Sequence, residues 1–181
     1  MKPIPNYTAE QIRQHFGMGL HPEGGWFTMT HQGEDTFRAA GLPQRYEGDR
    51  NASTAIYYLL TPDTYSAFHR LQTEELWHHY TGGTVVIHVI FPDGRYKKIK
   101  CGPRLQDGEQ FQVLVPKQTW FSAEVEAGDD FGLVGCTTAP GFSYKDFELG
   151  KEAELIAAYP QHRHLFERLC REEPVVKLGD Y

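Results

Sequence analysis

Residues 53–138 read as one strand after another, and that series decides the fold. STAIYYLLT (53–61) is an apolar run rich in β-branched and aromatic residues, stopped by Pro62-Asp63. YSAFHRL (65–71) and EELWHHY (74–80) follow, and Gly82-Gly83 turns the chain into GTVVIHVIF (83–91). Pro92-Asp93-Gly94 is a hairpin signal leading into RYKKIK (95–100). QFQVLVP (110–116), TWFSAEVE (119–126) and FGLVGCTTA (131–139) complete the series, with Pro116-Lys117-Gln118 and Gly128-Asp129-Asp130 between them. Strands at intervals of about ten residues, punctuated by turn residues, specify an antiparallel sandwich or barrel, a mainly β fold.

The flanks have other periods. Thr8-Ala9-Glu10-Gln11 is a capping box opening a short helix, with Gly17 as its stop. HPEGGWF (21–27) is a turn entering a further strand, and residues 33–52 are a polar, Gly-interrupted loop of the kind that forms a lid, an arm or an insertion. KEAELIAAYP (151–160) and HRHLFERLC (162–170) carry Leu155, Ile156, Tyr159, Leu165, Phe166 and Leu169 at helical spacing, divided by Pro160. These two helices are expected outside the β core. The expected organisation is one domain over 1–181: an N-terminal helix and arm (1–52), a barrel (53–149) and C-terminal helices (150–181).

With 181 residues, 40% hydrophobic and 23% charged, the chain has the make-up of a single folded domain rather than a disordered one. A net charge of −6 argues against a nucleic-acid partner, which selects basic stripes. No apolar run approaches the roughly 20 residues of a membrane span, and the first residues have no apolar signal core. Cys101, Cys136 and Cys170 are odd in number and lack CxxC spacing, so neither a disulfide framework nor a zinc ribbon is expected and a cytoplasmic location is the default.

The spacing His69-x-Leu71-x-x-x-Glu75, then Gly82, resembles the first signature of the cupin superfamily, HxHxxxE followed by six residues and Gly, with Leu71 in place of the second His. Pro116 to Phe121 lies where the second signature, PxGxxH, falls, with Gln118 for the Gly and Phe121 for the His. HPEGGWF, SAFHRL with EELWHHYTGG, VPKQTW and VGCTTAPGFSYKDFELG together resemble one cupin subfamily of bacterial and fungal proteins without an assigned activity, from about residue 9 to 170. Such proteins usually carry an Arg-Glu pair where this chain has Thr28-Met29. The resemblance implies a double-stranded β-helix, the jelly-roll barrel, with its ligand site inside. It also implies a homodimer, in which an N-terminal strand around Trp26 to Thr30 could lie across a partner sheet.

Inside such a barrel, His69 and Glu75 are the candidate catalytic pair, with His69 as a base held by Glu75 and Tyr58 as an opposing acid. Ser66, Arg70, Trp77, Trp120 and Glu23 are candidate ligand contacts. Either His78 or His79 joins them: alternation along the strand selects His79, the subfamily pattern His78. Three functions stay open. One is a metal-free isomerase or epimerase for a sugar-like or nucleotide-sugar-like small molecule. Another is a metal-dependent oxygenase or decarboxylase holding a divalent ion through His69, Glu75 and His79, or His78. The third is a small-molecule-binding protein without turnover. Because Leu71 and Phe121 stand at two ligand positions, no cofactor is expected beyond a weakly bound metal.

Overall fold

The structure is a computed structural model describing residues 6–177. Its strands are β1 (Gly19–Leu20), β2 (Trp26–Gln32), β3 (Thr36–Phe37), β4 (Arg50–Asn51), β5 (Thr54–Leu60), β6 (Tyr65–Leu71), β7 (Glu75–Gly82), β8 (Val85–Ile90), β9 (Tyr96–Cys101), β10 (Gln112–Val115), β11 (Trp120–Val125), β12 (Gly132–Thr138) and β13 (Phe147–Leu149). The helices are α1 (Ala9–His15), α2 (Glu152–Ala158) and α3 (Arg163–Leu169). Two antiparallel sheets face each other, a six-stranded one in the order β1-β2-β5-β12-β7-β10 and a five-stranded one in the order β13-β6-β11-β8-β9. Sequential strands jump between the sheets, and this makes the jelly-roll barrel.

Alternation sorts the side chains. Tyr58, Trp77 and Cys136 from the first sheet meet Leu71, Ile87 and Phe121 from the second in the inner core. Their sequence neighbours on the second sheet point the other way. Phe68, Ile90 and Trp120 pack with Leu155, Leu165, Phe166 and Leu169 of the two C-terminal helices, so these lie on the outer face, as their spacing predicts. At α1 the Thr8 hydroxyl accepts from the Gln11 amide at 3.2 Å, and the Gln11 side chain accepts from the Thr8 amide at 3.0 Å, completing the capping box.

One expectation about the N-terminal region changes. Residues 26–32 are no free arm, because β2 pairs with β5 of its own sheet from Trp26↔Leu59 to Gln32↔Thr54. Residues 33–52 are pinned to the barrel. β3 pairs with β4, and the Arg50 guanidinium grips Asp146 through two bonds of 2.6 Å, both side chains being buried. Its Nη1 donates to the carbonyls of Glu47, Gly48 and Asp49. Tyr46 reaches the Thr73 hydroxyl at 2.8 Å and Arg45 donates to Gln72 O, which ties the loop to the β6–β7 turn.

Candidate functional site

The cavity lies at the barrel end formed by the starts of β5 and β7 and the ends of β6 and β12. Residues 139–144 cross that end, held by Gly141 N–H to Asn51 O at 2.8 Å and Phe142 N–H to the Thr54 hydroxyl at 2.9 Å. The cavity volume is about 40 Å³.

The turn His21-Pro22-Glu23-Gly24-Gly25 places the first functional group. Gly24 and Gly25 have φ of +112° and +70°. A Cβ on Gly24 would lie 2.1 Å from Tyr65 O, and one on Gly25 would lie 2.9 Å from the Tyr58 hydroxyl. Only glycine therefore lets this turn press onto the barrel end. The turn drives Glu23 inward, 5% exposed. There Glu23 Oε1 accepts from the Ser66 hydroxyl at 2.7 Å and Oε2 lies 3.1 Å from His69 Nε2.

The proton count at this pair follows from its partners. His69 Nδ1 is 2.8 Å from Ala67 O, and a carbonyl can only accept, so Nδ1 carries a hydrogen. The Nε2···Oε2 contact then holds a single proton. Burial lowers the His69 pKa to about 4 and raises that of Glu23, so both shifts oppose an ion pair at this contact. His21, also buried, accepts the Glu23 amide on Nδ1 at 3.4 Å, and burial lowers its pKa too.

Glu75 enters from the opposite sheet, on β7. It is half-buried, and Trp77 donates its indole N–H to Oε2 at 2.7 Å. Burial, with the Glu23 carboxyl adding to it, pushes its pKa up to about 8. Phe27, Met29, Ile56, Leu71 and Phe142 form the apolar walls. The barrel end thus holds two carboxyls whose pKa burial raises, two imidazoles whose pKa burial lowers, and no lysine or arginine among its described lining residues.

Of the residues singled out from sequence, His69, Glu75, Tyr58, Trp77 and Glu23 line this cavity, and Ser66 stands behind it on Glu23. The pairing differs from expectation, because His69 is held by Glu23 and Glu75 by Trp77. Tyr58 is no free acid: its hydroxyl donates to Gly24 O at 2.6 Å and burial raises its pKa further. Arg70 and Trp120 are excluded by strand parity. Arg70 stacks over Trp120 on the outer face and binds Glu148 at 2.6 Å. Neither histidine of the following pair reaches the cavity. His78 bonds the Gln112 side chain at 3.0 Å on the exterior. His79 lies about 13 Å further along β7 than Glu75 at the usual rise per residue, and its Nε2 bonds Gly83 O at 3.1 Å. His21 was not singled out; the double glycine after it was the available signal.

A cupin barrel implies a divalent metal, and these residues do not fit one. Leu71 and Phe121 are inward, buried and without donor atoms. Both His69 nitrogens are engaged, and so is one Glu75 oxygen. Among the described residues no three His, Cys, Asp or Glu side chains converge as a metal-holding group. Elemental analysis after dialysis against chelator is expected to find well under one equivalent of iron, manganese, nickel or zinc per chain. One equivalent that is lost in His69→Ala would contradict this.

Comparison with known proteins places this geometry. A family model described as Cupin superfamily (DUF985) matches residues 10–150. The uncharacterised protein YML079W of Saccharomyces cerevisiae is 29% identical over 153 residues, covering 80% of this chain and 76% of its own. Among solved structures, protein SO0799 from Shewanella oneidensis is 33% identical with a TM-score of 0.84, over 93% of this chain and 100% of that one. A hypothetical protein from Leishmania major is 31% identical with a TM-score of 0.83, over 92% and 100%.

Proposed function

The chain belongs to the DUF985 family of the cupin superfamily, and on that footing we propose a metal-free acid–base enzyme of the isomerase type, acting beside the carbonyl of a small sugar-like molecule. The observation that carries this reading is the pair of carboxyls, Glu23 and Glu75, that line one apolar cavity with His69 3.1 Å from Glu23, burial raising the pKa of both carboxyls. Groups whose surroundings shift their pKa toward neutrality are suited to moving protons at neutral pH.

Glu75, once ionised, takes the proton from the carbon next to the carbonyl. The C–H electron pair becomes the C=C bond of an enol, and the carbonyl π pair moves onto oxygen. That oxygen takes the proton held between Glu23 and His69. Reversal, with the proton returned to the other face or to the adjacent carbon, gives the isomer. No electrons are gained or lost, so no redox cofactor is needed. Cys136 lines the cavity, but burial and the two nearby carboxyls keep its thiol protonated, which removes it as a nucleophile.

Solvent deuterium exchange tests the reading. In deuterated buffer the protein is expected to exchange the α-hydrogens of hydroxyacetone above the buffer rate, increasingly as pH rises to about 8, where Glu75 ionises. Glu23→Gln, which keeps the size of the side chain, is expected to lose about 10²–10⁴-fold of that rate. Exchange no faster than buffer for hydroxyacetone and for simple uncharged aldoses would remove the catalytic reading and leave a binding protein.

A further inference from the structure

The cavity also constrains what enters it. Resting on the acid–base reading above, we infer that the barrel selects an uncharged ketol: an α-hydroxy carbonyl end bearing no phosphate, carboxylate or ammonium group.

Three observations lead there. First, the described lining residues include no lysine or arginine, so an anion would be buried there without a counter-charge. This removes the phosphates of a nucleotide sugar. Second, a cation finds few free acceptors. Glu23 spends one oxygen on the Ser66 hydroxyl and the other on His69. Trp77 occupies one oxygen of Glu75, which leaves Glu75 Oε1 alone. Third, the cavity is small, about 40 Å³, and so suits a short ligand rather than a bulky one. Apolar walls with hydrogen-bonding groups on opposite sheets suit a short carbon chain carrying a carbonyl and a neighbouring hydroxyl. The raised pKa of Glu75 agrees, since a protonated carboxyl donates a hydrogen bond to a carbonyl oxygen.

The chain has its own reporter. Of the three tryptophans, Trp77 alone lines the cavity, while Trp26 stacks under Arg13 and Trp120 under Arg70 outside it. In ¹⁵N-labelled full-length protein at pH 7, the indole N–H signals are followed during titration with hydroxyacetone, glycolate and aminoacetone. These probes match in heavy-atom count and are neutral, anionic and cationic. The Trp77 signal, identified by its absence in Trp77→Phe, is expected to move with hydroxyacetone at a concentration about tenfold lower than with either charged probe, while the other two signals stay in place. A preference for glycolate or aminoacetone overturns the inference, as does a Trp77 signal that none of the three moves. Deuterium exchange in the same samples separates the two proposals. Hydroxyacetone bound without exchange retains the ligand class and rejects the acid–base reading; exchange confined to a charged probe does the reverse.

Discussion

Glu75→Gln is expected to raise stability at pH 8 by on the order of 2 kcal/mol, to leave it nearly unchanged at pH 5, and to abolish hydroxyacetone exchange. The sign follows from proton counting. An unfolded glutamate ionises near 4.5, whereas Glu75 in the fold holds its proton up to about 8. Between those values the native state carries the extra proton, so stability falls as pH rises. Glutamine has no proton to lose and lacks this slope. The figure is well below the full linkage value because the side chain is only half-buried. His69 acts in the opposite sense. Its pKa drops from 6.5 to about 4, so stability is lost as pH falls through that window. The two slopes oppose each other between about pH 4.5 and 6.5, where the wild-type melting temperature is expected to be flat, with a decline above it that Glu75→Gln reduces. Thermal melts from pH 4 to 9 read this directly. A variant that melts in parallel with wild type at every pH would show that Glu75 ionises normally.

Arg50→Ala is expected to be the most damaging substitution outside the cavity. Removing one member of a buried, doubly bonded ion pair leaves Asp146 charged and unpartnered, at a cost of about 3–5 kcal/mol. For a chain of this size that lowers the melting temperature by roughly 10 °C. The effect should extend to the cavity, because Asp146 closes the turn after residues 139–144, and its carbonyl accepts from the Gln72 amide at the β6–β7 turn. The paired replacement Arg50→Met with Asp146→Leu should recover most of the loss, since two apolar groups of similar size need no partners. A single variant that melts within a degree or two of wild type would mean the loop is not clamped there.

The strand series was legible because each strand carries its own period and its own turn residues. The helices were legible through Leu155, Leu165, Phe166 and Leu169. Parity could have carried further. Once His69 and Phe121 are taken as inward, Arg70 and Trp120 must be outward, as they are. The Glu23–His69 pair lay beyond reach because its members sit on a turn and a strand that meet only after β2 joins β5 and the turn folds across the barrel end. Their side-chain types were visible; their distance was not. The Tyr58 hydroxyl was misread as free for a similar reason, since its acceptor is a backbone carbonyl of that same turn. The choice between His78 and His79 failed for another reason: the register is regular from Glu75 to His79, so alternation gives the face, but it does not say how far along the barrel His79 stands from the cavity.

This barrel encloses two carboxyls that hold their protons above the ordinary carboxylate range. Titration of the side-chain carboxyl carbons in ¹³C-glutamate-labelled protein tests it most directly, with Glu75→Gln and Glu23→Gln identifying the two signals. The expected result is a Glu75 midpoint near 8 and a Glu23 midpoint above the ordinary carboxylate range. Midpoints near 4.5 for both would contradict it, because the cavity would then hold two negative charges at neutral pH and would have neither a poised base nor a proton to give.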